Sequence, residues 1–233
     1  MIEFENVTLA YPQSEFRLQV AVVKIAQGEQ VALVGPSGSG KTTLLHLAAG
    51  ILTPDAGQIQ VADEEITKLT PSARRSFRIR TIGLVLQEFE LLEYLPVREN
   101  MLLPFRITSA LKINREVRQS AEQLATAVGI RETLDRYPHR LSQGERQRVA
   151  VGRALITQPQ VLLADEPTGN LDPAASRKTI DLLLEQAAER KATVLMVTHD
   201  HSLLDRFERV IETQQISDDD PRSRHFQVRE ASA

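Results

Sequence analysis

Val31-Ala32-Leu33-Val34-Gly35-Pro36-Ser37-Gly38-Ser39-Gly40-Lys41-Thr42 joins a short apolar strand to a glycine-rich turn. Thr42 to Ala49 then reads as a helix that Gly50 stops. From Gly35 to Thr42 every fixed position of the phosphate-binding loop pattern is filled, and both flanking elements are in place. The residue types suit the chemistry. Glycines let successive backbone N–H groups turn inward around phosphate oxygens, and the helix N-terminus adds positive potential. Lys41 is placed to reach the β and γ phosphates, Thr42 to ligate magnesium, and Thr43 to follow them on the first helical turn. The stretch predicts an ATP and Mg2+ site on Gly35, Pro36, Ser37, Gly38, Ser39, Gly40, Lys41, Thr42 and Thr43.

Downstream, Val161-Leu162-Leu163-Ala164-Asp165-Glu166 is an apolar strand ending in two carboxylates. Taken alone this reads equally well as a solvated strand end. Beside a phosphate-binding loop the two acids divide labour, because sites in α/β proteins gather at the carboxyl ends of strands. Asp165 would hold the magnesium, and Glu166 would take a proton from, or polarise, the water attacking the γ-phosphate.

Further strands are read at Ile2 to Val7, Phe16 to Val20, Ile59 to Val61, Ile82 to Leu86 and Thr193 to Val197. Asp172-Pro173 starts a helix carrying Ile180, Leu183, Leu184 and Ala187 on one face. From about 88 to 156 the helical period dominates. There Asn114 caps a helix with Val117, Ala121, Leu124, Ala125 and Val128, and Gly129 closes it. The reading is an α/β fold: a P-loop core at 1–87 and 157–217 with a mostly parallel sheet, an N-terminal antiparallel β part and an inserted helical subdomain. Ser217-Asp218-Asp219-Asp220-Pro221 opens a polar tail, 218–233, that is expected to fray. Arg74 to Arg80, with Phe77 and Ile79 between basic residues, reads as an amphipathic element with a solvated basic face.

Composition narrows the setting. The 233 residues are 42% hydrophobic and 25% charged, enough for one sizeable core. No apolar run approaches the roughly 20 residues that span a bilayer, and the start lacks a secretory signal, so a cytoplasmic location is expected. A net charge of −3 argues against broad nucleic-acid binding, and zero cysteines exclude a disulfide framework and a thiolate metal site.

Leu141-Ser142-Gln143-Gly144-Glu145-Arg146-Gln147-Arg148-Val149 resembles the signature motif of ABC ATPases. The order of P-loop, glutamine after a strand, signature, paired acids, Asn-Leu-Asp and late histidine resembles that family over almost the whole chain. The resemblance implies roles at further positions. Tyr11 stacks on adenine; Gln87 touches magnesium and the attacking water; Ser142 and Gly144 offer donors to a phosphate; Asp172, in Gly169-Asn170-Leu171-Asp172, belongs to the loop that crosses to a second subunit; His199 contacts the γ-phosphate. Locally each has a plainer reading, as strand-edge tyrosine, surface amide, helix start, helix cap and structural histidine. His46, His139, His201 and His225 match nothing and read as structural or surface residues.

In the family the P-loop of one subunit faces the signature of the other. A homodimer and separate integral-membrane permease subunits are therefore implied, with the chain peripheral on the inner face of the membrane. Arg80 to Pro104 and Ala164 to Asp172 resemble the lipoprotein-release, macrolide-export and cell-division branch, where Leu91, Leu92, Tyr94 and Leu95 lie near the permease's docking groove. An export or lipid-extraction motor, a cell-division-type signalling ATPase and a soluble iron–sulfur assembly ATPase stay open at this point. The commonest signature has glycine where Gln143 stands, and no hairpin glycine lies between Ile211 and Ile216.

Overall fold

Apolar–polar alternation builds the first strands, since a strand turns successive side chains to opposite faces. β1 (Ile2–Ala10) buries Ile2, Phe4, Val7 and Leu9, and β2 (Phe16–Ile25) buries Phe16, Leu18, Val20, Val23 and Ile25. β1 pairs antiparallel with β2 and with β4 (Ala56–Val61), which pairs with the short β5 (Glu64–Glu65). The computed structural model describes all residues except 13, 170, 171, 217–223 and 231–233, and side chains except at 215, 216, 224–226, 229 and 230.

The second part of the sheet is parallel. β3 (Gln30–Val34), β6 (Ile82–Val85), β7 (Val161–Asp165), β8 (Thr193–Val197) and β9 (Arg209–Ile216) stand in the order β9-β3-β8-β7-β6. Every residue of β7 and β8 is buried, the run expected of strands covered on both faces. Alternate residues feed two cores. Val31, Leu33, Val161, Leu163, Leu195 and Val197 pack with α1 (Lys41–Ala48) and the antiparallel strands. Ala32, Leu162, Ala164, Val194 and Met196 face the other way.

That opposite core holds α5 (Arg115–Ala127), α6 (Gln143–Leu155) and α7 (Pro173–Glu189). α5 starts where the sequence predicts, with Asn114 Oδ1 accepting from Val117 N at 2.9 Å. The two short helices α3 (Val97–Met101) and α4 (Leu103–Arg106) precede it. α2 (Pro71–Thr81) is the basic amphipathic element: Phe77 packs on the first core, while Arg78 donates to Ala49 O and Gly50 O.

The chain's end differs from its sequence reading. The aspartate-rich segment at 217–223 lies outside the described residues, but Arg224–Glu230 of the tail form β10. β10 lies between β2 and β9, parallel to the first and antiparallel to the second, and buries Val228. This strand makes one ten-stranded sheet of the two parts. Ile211 and Ile216 lie on a single strand, β9, so no turn glycine is needed between them.

Candidate active site

Strand register gathers the site. Leu33 lies opposite Val197, which lies opposite Asp165, and Val85 lies opposite Ala164. The loops leaving β3, β6, β7 and β8 therefore emerge at one sheet edge, carrying the P-loop, Gln87, Asp165-Glu166 and His199. Backbone bonds pin that edge: Glu166 N donates to Val197 O at 3.0 Å and Thr198 N to Leu33 O at 3.2 Å.

The P-loop glycines are required by conformation and by space. Gly40 has φ +90, and a β-carbon there would stand 2.7 Å from the Phe16 ring. Gly35 has φ +145, with Thr213 O 2.8 Å from such a carbon. L-residues rarely hold either conformation. Ser39, fully buried, shares a short hydrogen bond with Thr213, which ties the loop to β9.

Lys41 is buried, and its Nζ donates to Gly35 O and Pro36 O at 2.9 Å each. Burial lowers its ammonium pKa, an effect opposed by the charges of Glu166 and Asp165. Asp165 is 6% exposed, and the Thr42 hydroxyl near it favours its carboxylate. Its carboxyl pKa is raised, chiefly by burial and further by Glu166. Thr42 and Asp165 thus offer hydroxyl and carboxylate oxygens, hard donors suited to Mg2+. Among the described residues no group of three or more His, Cys, Asp or Glu is arranged to hold a metal ion.

Glu166 takes the left-handed conformation, φ +43, uncommon for a non-glycine residue. Its Oε2 lies 3.2 Å from His199 Nδ1. Gln87 converges on the same place: its Nε2 and Glu166 Oε2 are each 3.9 Å from the point where a β-carbon on Gly169 would stand. Tyr11 shares a 3.0 Å hydrogen bond with Thr43 and its ring sits 5.6 Å from that of Phe16, the residue being 38% exposed beside the P-loop helix. P-loop, paired acids, glutamine, histidine and tyrosine therefore share one edge.

The family description of ABC transporters matches residues 18–169. The chain belongs to the ABC transporter family. Its sequence is 43% identical over 194 residues to the lipoprotein-releasing system ATP-binding protein LolD of Maricaulis maris, covering 83% of this chain and 84% of that one. It is also 36% identical over 214 residues to the macrolide export ATP-binding/permease protein MacB of Syntrophobacter fumaroxidans, covering 91% of this chain but 30% of that longer protein. Among solved structures, the ABC transporter cassette MJ0796, described as dimeric, superposes with TM-score 0.81 at 33% identity over 91% of this chain and 94% of its own. The same cassette in a post-hydrolysis state bound to ADP and Pi gives 0.81 at 32%. This ABC chain is an ATPase with the P-loop NTPase α/β fold.

Ser142 and Gly144, read from the sequence as part of a signature motif, stand at the start of α6. Among the described residues no hydrogen bond or ion pair joins Ser142 or Gly144 to the P-loop, the paired acids or His199. Instead Ser142 caps α6. Its N and Oγ donate to Glu145 Oε2 at 2.7 and 2.8 Å, and Glu145 N donates back to Ser142 Oγ at 3.3 Å. These bonds, that from the Ser142 backbone first, hold the Glu145 carboxyl below its ordinary range. Gln143 is the first residue of α6, in ordinary helical geometry and exposed, so its side chain crowds nothing. Asp172 caps α7, accepting from Ala174 N and Ala175 N at 3.1 and 3.0 Å, while Asn170 and Leu171 lie outside the described residues.

Three residues go unnoticed in the sequence. Thr213 braces the P-loop; its signal is a threonine at an inward position, two residues after buried Ile211. Asn100, fully buried, accepts from Leu92 N and donates to Leu92 O and Leu95 O, so it shapes the loop that holds Tyr94 at 73% exposure. Arg153 is the third. Of the unmatched histidines, His46 stands close enough to Asp165 for its charge to favour the carboxylate, and His139 stacks on Tyr137.

Proposed function

We propose that this chain is the motor subunit of a membrane transporter, a homodimer that closes around two ATP molecules and drives separate permease subunits in export or lipoprotein extraction. One observation carries the reading. Phosphate loop, paired acids, Gln87 and His199 stand on one sheet edge, while Ser142 and Gly144 begin a different helix and, among the described residues, bond to none of them. A second subunit would bring its signature to that edge. The dimeric description of MJ0796 supports this, as do the names of the LolD and MacB relatives. Among the described residues no helix is long and apolar enough to cross a membrane, which supports a chain peripheral on the cytoplasmic face and carried there by its permease. The exposed Tyr94, with Leu91, Leu92 and Leu95 around it, suits the face that meets the permease.

The residues divide the work by their chemistry. P-loop N–H groups and Lys41 hold the phosphates, and Tyr11 stacks the base. Thr42 and Asp165, with Gln87, would hold Mg2+, which supplies charge neutralisation at the phosphates. Glu166 takes the proton of the attacking water, and His199, with Nδ1 3.2 Å from Glu166 Oε2, faces the γ-phosphate. Glu166→Gln keeps the geometry and removes the base. ATP binding persists, turnover falls by roughly 10²-fold or more, and dimer accumulates in ATP on size-exclusion chromatography. Unchanged hydrolysis would remove Glu166 as the base, and a monomer throughout would remove the dimer.

A further inference from the structure

Gln87 leaves β6 through an unusual corner. Phe89 N donates to Leu86 O at 3.0 Å, closing a turn that has Gln87 and Glu88 at its centre. The next two residues, Phe89 and Glu90, both take left-handed backbone conformations, φ +58 and +49. Consecutive non-glycine residues hold such geometry only where their surroundings impose it. The imposing group is 63 residues on. Arg153, near the end of α6, donates from Nη1 to Glu90 O at 2.6 Å and from Nη2 to Phe89 O in a shorter bond. A guanidinium is a planar fork, so it sets two adjacent carbonyls at once.

Burial lowers the pKa of this guanidinium, opposed by the charge of Glu90. Arg153 and Glu90 also line a cavity of about 290 Å³ shared with α2, β6 and α4, so the clamp stands where the helical subdomain meets the core.

We propose that Arg153 is a positioning residue for ATP hydrolysis: from the signature helix it clamps the left-handed Phe89–Glu90 corner and thereby aims Gln87 at the site shared with Glu166. Its bonds go to the two backbone carbonyls, and it acts through Gln87, so the inference rests on the role given to Gln87 above.

The test is a double-variant cycle on the full chain, measuring steady-state ATPase rates in Arg153→Ala, Arg153→Lys, Gln87→Ala and Arg153→Ala/Gln87→Ala. Arg153→Ala lowers kcat by roughly tenfold or more, the scale of a misplaced catalytic group, and leaves the KM for ATP within about twofold. Arg153→Lys, a point donor without the fork, falls between. The double variant is no slower than Gln87→Ala, because the two residues act in series. If Arg153→Ala does not fold, Arg153→Lys carries the same cycle. A normal kcat in the Arg153 variants beside a slow Gln87→Ala, or losses that multiply in the double variant, overturns the inference alone. A normal kcat in Gln87→Ala removes the role of Gln87 and the inference with it.

Discussion

Asp165 sits where binding chemistry and stability pull apart. Its carboxylate is nearly buried beside Glu166, and the nearby Thr42 hydroxyl offsets only part of the cost of charging it. The folded chain therefore keeps this proton to higher pH than the unfolded chain does. The contribution to stability is complete below the ordinary value of 3.8 and is lost as pH rises through the raised folded value. At neutral pH the ionised group is a burden. Asp165→Asn, which keeps an acceptor for Thr42, raises the thermal midpoint in EDTA by about 2–4 °C, the shift that roughly 1 kcal/mol produces at this chain length. The gain shrinks toward pH 4, and magnesium-dependent ATP binding weakens. A midpoint that falls in EDTA would show that the carboxylate stabilises the fold.

At the scale of an element, α6 joins three tasks in one helix. Its first turn presents Ser142 and Gly144, its middle packs Val149, Ala150 and Val151 into the core, and its end carries Arg153. The capping box explains how a helix with such duties starts cleanly. It also occupies the Ser142 hydroxyl, so in the proposed dimer that hydroxyl has to be drawn away from Glu145 before it can donate to a phosphate. Gln143 departs from the commonest signature at no steric cost because it is already helical, and a glycine there adds only backbone freedom. Gln143→Gly is expected to lower stability by about 0.5–1 kcal/mol, read as a fall in the urea midpoint at unchanged slope. A gain in stability would mean that the glutamine side chain is strained.

For the whole molecule, β10 decides continuity. Without it the edges of β2 and β9 lose their pairing, and Val228 leaves the first core. Truncation after Ile216 lowers the thermal midpoint by more than about 4 °C, over 1 kcal/mol at this size, and promotes association through the bared edges. An unchanged midpoint would make β10 dispensable. This strand was legible only in part: Phe226 and Val228 alternate with polar residues, but the acidic run before them reads as the start of a tail. Most of the other elements were plain in the sequence, because alternation, apolar runs and caps such as Asn114, Ser142 and Asp172 act over neighbouring residues. The P-loop was legible for the same reason, as its glycines answer to backbone geometry within eight residues. The sequence by itself therefore determined the fold class and the phosphate loop. Only the tertiary structure decided that Ser39 meets Thr213 across 174 residues of chain, that Arg153 clamps Phe89 across 64, and that Gln87 and His199 converge on Glu166. Such contacts depend on strand order and register, and local patterns fix which face a side chain takes without saying which distant face it will meet.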